Sequence, residues 1–171
     1  LFPEGKLGMT DIRPQQLIEE IQEELNAQID DPNPDRNGSP QWIYTIPLNF
    51  DIADYPRIHI QQIDSTHTGF SLGTGSREAD TTIQFSIFHS TDKGYKLDVD
   101  GDSEAEPVNN VIDYLTDRVI DVINNSQTTW RNKGDNVHYV LTVNENRVET
   151  QRNSIEQYII EAEARLTRRS N

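Results

Sequence analysis

The sequence predicts an α+β domain: a mainly antiparallel sheet packed against an N-terminal helix and a longer central helix. Two segments carry apolar residues at helical spacing, and several others alternate apolar and polar residues at period two. Their order is helix, strands, helix, then two more strands. Regular β-α alternation, which would build a parallel sheet, is missing. At 171 residues, 33% of them apolar and clustered periodically, the chain can enclose one hydrophobic core. Residues 10–171 are therefore read as a single domain and residues 1–9 as a flexible N-terminal arm.

The first helix is expected from Thr10 or Asp11, with Pro14 in its first turn, where a missing N–H costs little. Leu17, Ile18, Ile21, Leu25 and Ile29 make its apolar stripe, and Glu19, Glu20, Glu23 and Glu24 face outward. "DDPNPDRNGSP", residues 30–40, stops it with prolines, Asn and Gly and reads as a surface loop. "WIYTIPLNF", residues 42–50, reads as a strand that Pro47 ends or confines to a sheet edge.

In "YPRIHIQQID", residues 55–64, Ile58 and Ile60 point one way and Arg57, His59 and Gln61 the other, with the register ending near Ile63. Its expected partner is "TTIQFSIFH", residues 81–89, with Ile83, Phe85 and Ile87 on the core face. The two are joined by a long loop from Asp64 to Asp80, well beyond ordinary hairpin length. A short strand is expected in "YKLDV", residues 95–99. The strongest helical pattern is residues 106–126, where Val108, Val111, Ile112, Leu115, Val119, Val122 and Ile123 form a stripe opposite Asp113, Asp117 and Asp121. Asn124, Asn125 and Ser126 are its terminators. Val137, Tyr139, Leu141 and Val143 then alternate in a strand. "QYIIEAEARL" suits either period and is assigned to a strand, because the strand before it needs a partner.

Charge narrows the function. Twenty-nine acids face fifteen bases, a net charge of −14, and lysine stands only at Lys6, Lys93, Lys96 and Lys133. Such a surface repels phosphate backbones, which argues against sequence-specific nucleic-acid binding. Many aspartates, few lysines and arginine as the main base fit a halophilic setting, where salt screens self-repulsion. No apolar run is long enough to span a bilayer, and "LFPEGKLGMTD" lacks the regions of a signal peptide, so no membrane role is expected. Cysteine is absent, which excludes disulfides and thiol chemistry.

Catalytic and metal motifs are equally sparse. His59, His67, His89 and His138 make no spaced metal motif with carboxylates. In "DVDGDSEAE", residues 98–106, Asp98, Asp100 and Asp102 match the first ligands of a calcium loop. Ser103 occupies the position that needs Gly, however, and Asn109 the position that needs a bidentate Glu. "GTGSRE", residues 73–78, lacks a phosphate-loop lysine and leads into a strand. No catalytic residue, metal or cofactor is assigned.

Three segments taken in order, "YPRIHIQQID", "GFSLGTGSREADTTIQFSIF" and "VNNVIDYLTDRVIDVI", resemble the tail-terminator (tail-completion) proteins of long-tailed double-stranded DNA viruses. The resemblance spans about residues 10–166 and rests on order and spacing. The longer loop at 30–40 and the acidic loop at 98–106 depart from it. It implies a non-enzymatic virion protein at the tail–neck junction, assembled in the host cytoplasm as a ring, usually a hexamer. The ring closes the tail-tube protein and joins it to a neck or connector protein, while the genome passes through without specific binding. The halophilic composition points to a virus of haloarchaea. Arg57, His59, Thr68, Phe70, Leu72, Thr74 and Arg77, on the polar strand face and in the following loop, are the candidate subunit or partner contacts. Another neck protein (adaptor or stopper) and a halophilic cation-dependent enzyme are the alternatives.

Overall fold

A computed structural model describes residues 11–33, 35–36, 40–45, 54–69, 76–90, 100–104, 108–148 and 155–169. The expected N-terminal arm, the 95–99 strand and most of the 42–50 strand lie outside the described residues. The elements in chain order are α1 (Pro14–Gln28), β1 (Ile43–Tyr44), β2 (Arg57–Gly69), β3 (Ser76–Ser90), α2 (Val108–Asn125), α3 (Gln127–Lys133), β4 (Val137–Val148) and β5 (Ile155–Arg169). The fold is α+β. Five strands form one sheet in the order β1-β2-β3-β5-β4, with β1 parallel to β2 and every other pairing antiparallel.

Pro14 opens α1, where its ring is pre-set for helix, and the Arg13 N–H is satisfied by the Gln16 side chain at 2.8 Å. The stripe Leu17, Ile18, Ile21 and Leu25 is fully buried, with Ile29 just past the helix end. On α2, Val111, Leu115, Val119, Val122 and Ile123 are buried in the same cluster. So are Ile58 and Ile60 of β2, Ile83, Phe85 and Ile87 of β3, and Ile160, Ala162, Ala164 and Leu166 of β5. The period-two residues of the strands thus meet the period-3.6 residues of both helices in one core.

Two expectations are corrected. The first is the loop from Asp64 to Asp80, because β2 runs on to Gly69 and β3 begins at Ser76, pairing Asp64 with Thr82 and Gly69 with Arg77. A register shift between Gln62 and Asp64 breaks the alternation at Ile63. Beyond it the strand is polar on both faces, so hydrophobic periodicity carries no signal there. The second is the regular alternation of Val137, Tyr139, Leu141 and Val143 in β4. A register shift between Val137 and Tyr139 changes the phase, so Val137 and Val140 reach the core. Leu141 stays exposed, and so does Val143, which a second shift between Thr142 and Asn144 leaves unpaired.

The short helix α3, absent from the sequence reading, closes the outer edge of β4. Gln127 acts as a surrogate peptide group: its Oε1 accepts from the Val140 N–H at 3.2 Å and its Nε2 donates to the Val140 carbonyl at 2.6 Å. Asn124 Oδ1 accepts from the Thr142 N–H at 3.0 Å, and Arg131 Nε donates to the His138 carbonyl at 3.1 Å. An open edge invites pairing with another chain, and here its first half is already satisfied. Gln127→Leu should leave the Val140 N–H and carbonyl without these partners and cost about 1–3 kcal/mol, read as a lower urea midpoint. An unchanged midpoint would mean that water replaces the amide. At the turn into β4 the chain needs Gly134 because of crowding: an added Cβ would sit 2.9 Å from both Asn136 Oδ1 and Ile12 Cγ1. Asn136, itself buried, ties Ile12 to Thr167 through side-chain hydrogen bonds of 2.9–3.0 Å.

Candidate functional site

Of the seven candidate contacts, Phe70, Leu72 and Thr74 lie outside the described residues. Thr68 and Arg77 are exposed, and His59 is half-buried. Arg57 is a correction: its side chain is 0% exposed within the single chain, so it cannot offer a surface to a partner. Its guanidinium lies 4.4 Å from the centre of the Tyr55 ring and 5.5 Å from that of Phe88, and donates to the Tyr55 hydroxyl at 3.0 Å. Burial lowers its pKa, with the phenols of Tyr55 and Tyr44 opposing that shift and Arg36 adding to it. The alternation rule placed Arg57 on a polar face, but that face is covered at this end of the strand.

The cover includes the loop between α1 and β1, which the sequence reading left on the surface. Asn33 is buried and donates from Nδ2 to the Tyr55 carbonyl at 2.8 Å. Arg36 forks onto Asp31, with its Nη2 at 2.8 Å from Oδ1, and reaches the Pro56 carbonyl at 2.7 Å. The Tyr55–Pro56 bond it grips is cis. Nothing in local sequence spacing marks Arg36 as a clamp, since its partners are 5 and 20 residues away. His89, one position beyond Ile87 on the core-facing side of β3, is 3% exposed. Burial, followed by the Arg36 charge, pushes its pKa down to about 4.

The other end of the sheet differs. From Gln61 to Thr68 every residue of β2 except Ser65 is exposed, so this half of the strand stands clear of the core on both faces. On the neighbouring strands Arg165 forks onto Asp80, with Nε and Nη2 at 2.7 and 2.9 Å, and lies 5.4 Å from the Tyr139 ring centre. The hydrogen bond from Arg165 holds Asp80 below the usual carboxylate range, and the Tyr139 hydroxyl, donating to Glu163 at 2.7 Å, is pushed up to about 12. Beyond these, Arg77 and Arg168 are direct cross-strand partners.

On the opposite side, α2 and the outer edge of β4 enclose an open groove of about 340 Å³ lined by Ile120, Thr142, Val143, Asn144 and Glu145. Carboxylates crowd this region. The Tyr158 pKa is raised first by burial, then by the charges of Glu145 and Asp113, with Asp117 adding and Arg147 opposing. Arg147 pairs with Asp113 at 2.9 Å.

In the acidic loop, Asp100 and Asp102 each accept from a backbone N–H two residues on, at 3.1 and 2.7 Å, while Gly101 and Ser103 take positive φ. Their carboxylates thus cap the loop's own backbone. Among the described residues no group of three or more histidines and carboxylates could hold a metal ion, and no helix is long and apolar enough to cross a membrane. What the arrangement offers is contact surface: the exposed distal half of β2 at one end of the sheet, and a groove between α2 and β4. No protein-family model matches the chain, and no curated protein matches it.

Proposed function

We propose that the chain is a structural virion protein of the tail-terminator kind, forming a ring, usually of six subunits, that closes the tail tube and joins it to the neck. The observation that carries this reading is the distal half of β2. Seven of its eight residues from Gln61 to Thr68 are exposed, and among the described residues its backbone is paired only with β3. A strand that leaves the core gains little from burial within its own chain. Its exposed edge and faces suit a neighbour. The order of the sequence motifs supplies the kind of assembly, and the shortage of basic residues suits a channel through which DNA slides.

The test is particle mass and negative-stain imaging in molar salt, with and without tail-tube protein. A ring is expected, and a strict monomer under every condition overturns the reading. Salt removal should lower the melting temperature or dissociate the ring. Screening length grows from about 3 Å at 1 M to about 30 Å at 0.01 M, so a charge of −14 then repels itself across the whole subunit. A melting temperature that holds steady between these salts would remove the halophilic part of the proposal and leave the ring untouched.

A further inference from the structure

Two features of the surface are each unfavourable in an isolated chain. Arg77 of β3 and Arg168 of β5 stand directly opposite each other, an arrangement that destabilises a strand pair. Neither forms an ion pair among the described residues. On α2, Asp113, Asp117 and Asp121 repeat at four-residue spacing, each exposed, so like charges stack along one helix face. Asp113 alone of the three is paired among the described residues, with Arg147. Among the described residues, a chain short of basic residues thus holds two arginines without an ion pair at one end of its sheet, and Asp117 and Asp121 without one on α2.

Ile120, three residues after Asp117 and one before Asp121, lines the groove between α2 and β4. Ile120, half-buried, and Val143, 60% exposed, give that groove apolar walls, and Glu145 adds a further carboxylate. Among the described residues the caps on the β4 edge reach Thr142, which also lines the groove. The arginines cannot fill it from within. Glu161, beside Asn144 in register, is seven residues from Arg168, a distance of about 23 Å along the strand.

We infer that the Arg77–Arg168 end of the sheet in one subunit docks into the groove between α2 and β4 of a second copy of this chain, against Asp117, Asp121 and Glu145. The arginine stems can lie on Ile120 and Val143 while their guanidinium groups meet the carboxylates. Because the two surfaces are different patches of one chain, the contact is head-to-tail, and such contacts close into rings when the rotation between copies allows. The inference rests on the ring reading and names its interface.

Charge exchange tests it at the salt concentration where the wild type assembles. Arg77→Glu with Arg168→Glu sets like charges against the groove, and Asp117→Arg with Asp121→Arg does so from the other side. Each double variant should lose at least about a hundredfold in self-association, since juxtaposed like charges cost several kcal/mol. Mixed in equal amounts, the two should assemble again, because each then supplies the surface that the other lacks. Arg77, Asp117 and Asp121 are exposed and Arg168 is half-buried, and recovery on mixing shows that both variants are folded. If the wild type assembles and either variant assembles equally well, or the mixture stays apart, the interface is wrong and the ring reading stands. A wild type that never assembles overturns both. If the arginine substitutions leave assembly intact but abolish retention of duplex DNA by the wild type, the arginines grip phosphate and the docking inference is overturned.

Discussion

Trp130→Ala is expected to cost about 4 kcal/mol of folding stability, the range for removing a large buried aromatic. Trp130 is 0% exposed and lies in the core cluster, and its indole N–H donates to the Ile123 carbonyl at 2.9 Å near the end of α2. Helix α3 has only seven residues, too few to persist without tertiary anchoring. The tryptophan is its only buried side chain. Loss of the anchor frees the same segment that carries Gln127 and Arg131, so the edge of β4 opens as the cavity forms. For a domain stable by about 5–15 kcal/mol this is a large fraction of the total. Urea unfolding should show the loss as a lower midpoint. Trp130→Phe, which keeps most of the volume but not the N–H, should lose roughly half as much. A loss under about 1 kcal/mol for the alanine variant would mean that α3 is not held by this side chain.

The strands and helices that sequence periodicity revealed are those whose apolar faces reach the common core. Leu17 to Ile29, Val111 to Ile123, Ile83 to Ile87 and Ile160 to Leu166 all repeat at the period of their element, because burial on one face imposes it. Where burial ceases, so does the signal. The distal half of β2 is exposed and polar on both faces, and the facing part of β3 buries only the small Ala79 and the polar Thr81, so both read as a loop. The phase of β4 was hidden by register shifts at His138 and Val143, which periodicity cannot anticipate. Helix α3 is shorter than two heptads and shows one apolar anchor, so it offers no period to detect. The candidate contacts divide along the same line. Arg77 and Thr68 are exposed because they stand beyond the core, whereas Arg57 is buried by Tyr55 and Phe88, the latter aligned with it only through the strand register. The arginine pair 77 and 168 and the groove beside Ile120 depend on strand pairing across the chain, which no local window contains.

Lowering the pH from 7.5 should destabilise the wild type relative to His89→Leu, and His89 supplies the reason. The imidazole lies within the sheet's core side beside the Arg36 charge, and its Nδ1 has no hydrogen-bond partner among the described residues. Both the burial and the neighbouring cation disfavour the imidazolium, so the pKa falls from 6.5 in the unfolded chain to about 4 in the folded one. Between those values the unfolded chain binds the extra proton. Stability is therefore complete above pH 6.5, declines as pH falls below it, and is fully lost to this group below about pH 4. The whole span is worth roughly 3 kcal/mol, and somewhat less than half of it is gone by pH 5.5. Opposing this, protonation of carboxylates relieves the repulsion of a chain with net charge −14, so the absolute stability of the wild type is a poor readout. The difference between wild type and His89→Leu removes that shared background. It should shrink or reverse by about 1 kcal/mol between pH 7.5 and 5.5, short of the isoelectric region near 4.5 where the protein carries little charge. Imidazole proton shifts followed by NMR over the same range should leave His89 untitrated. Parallel stability curves, or a His89 midpoint near 6.5, would place this ring in contact with water and remove the buried neutral histidine from the account of the core.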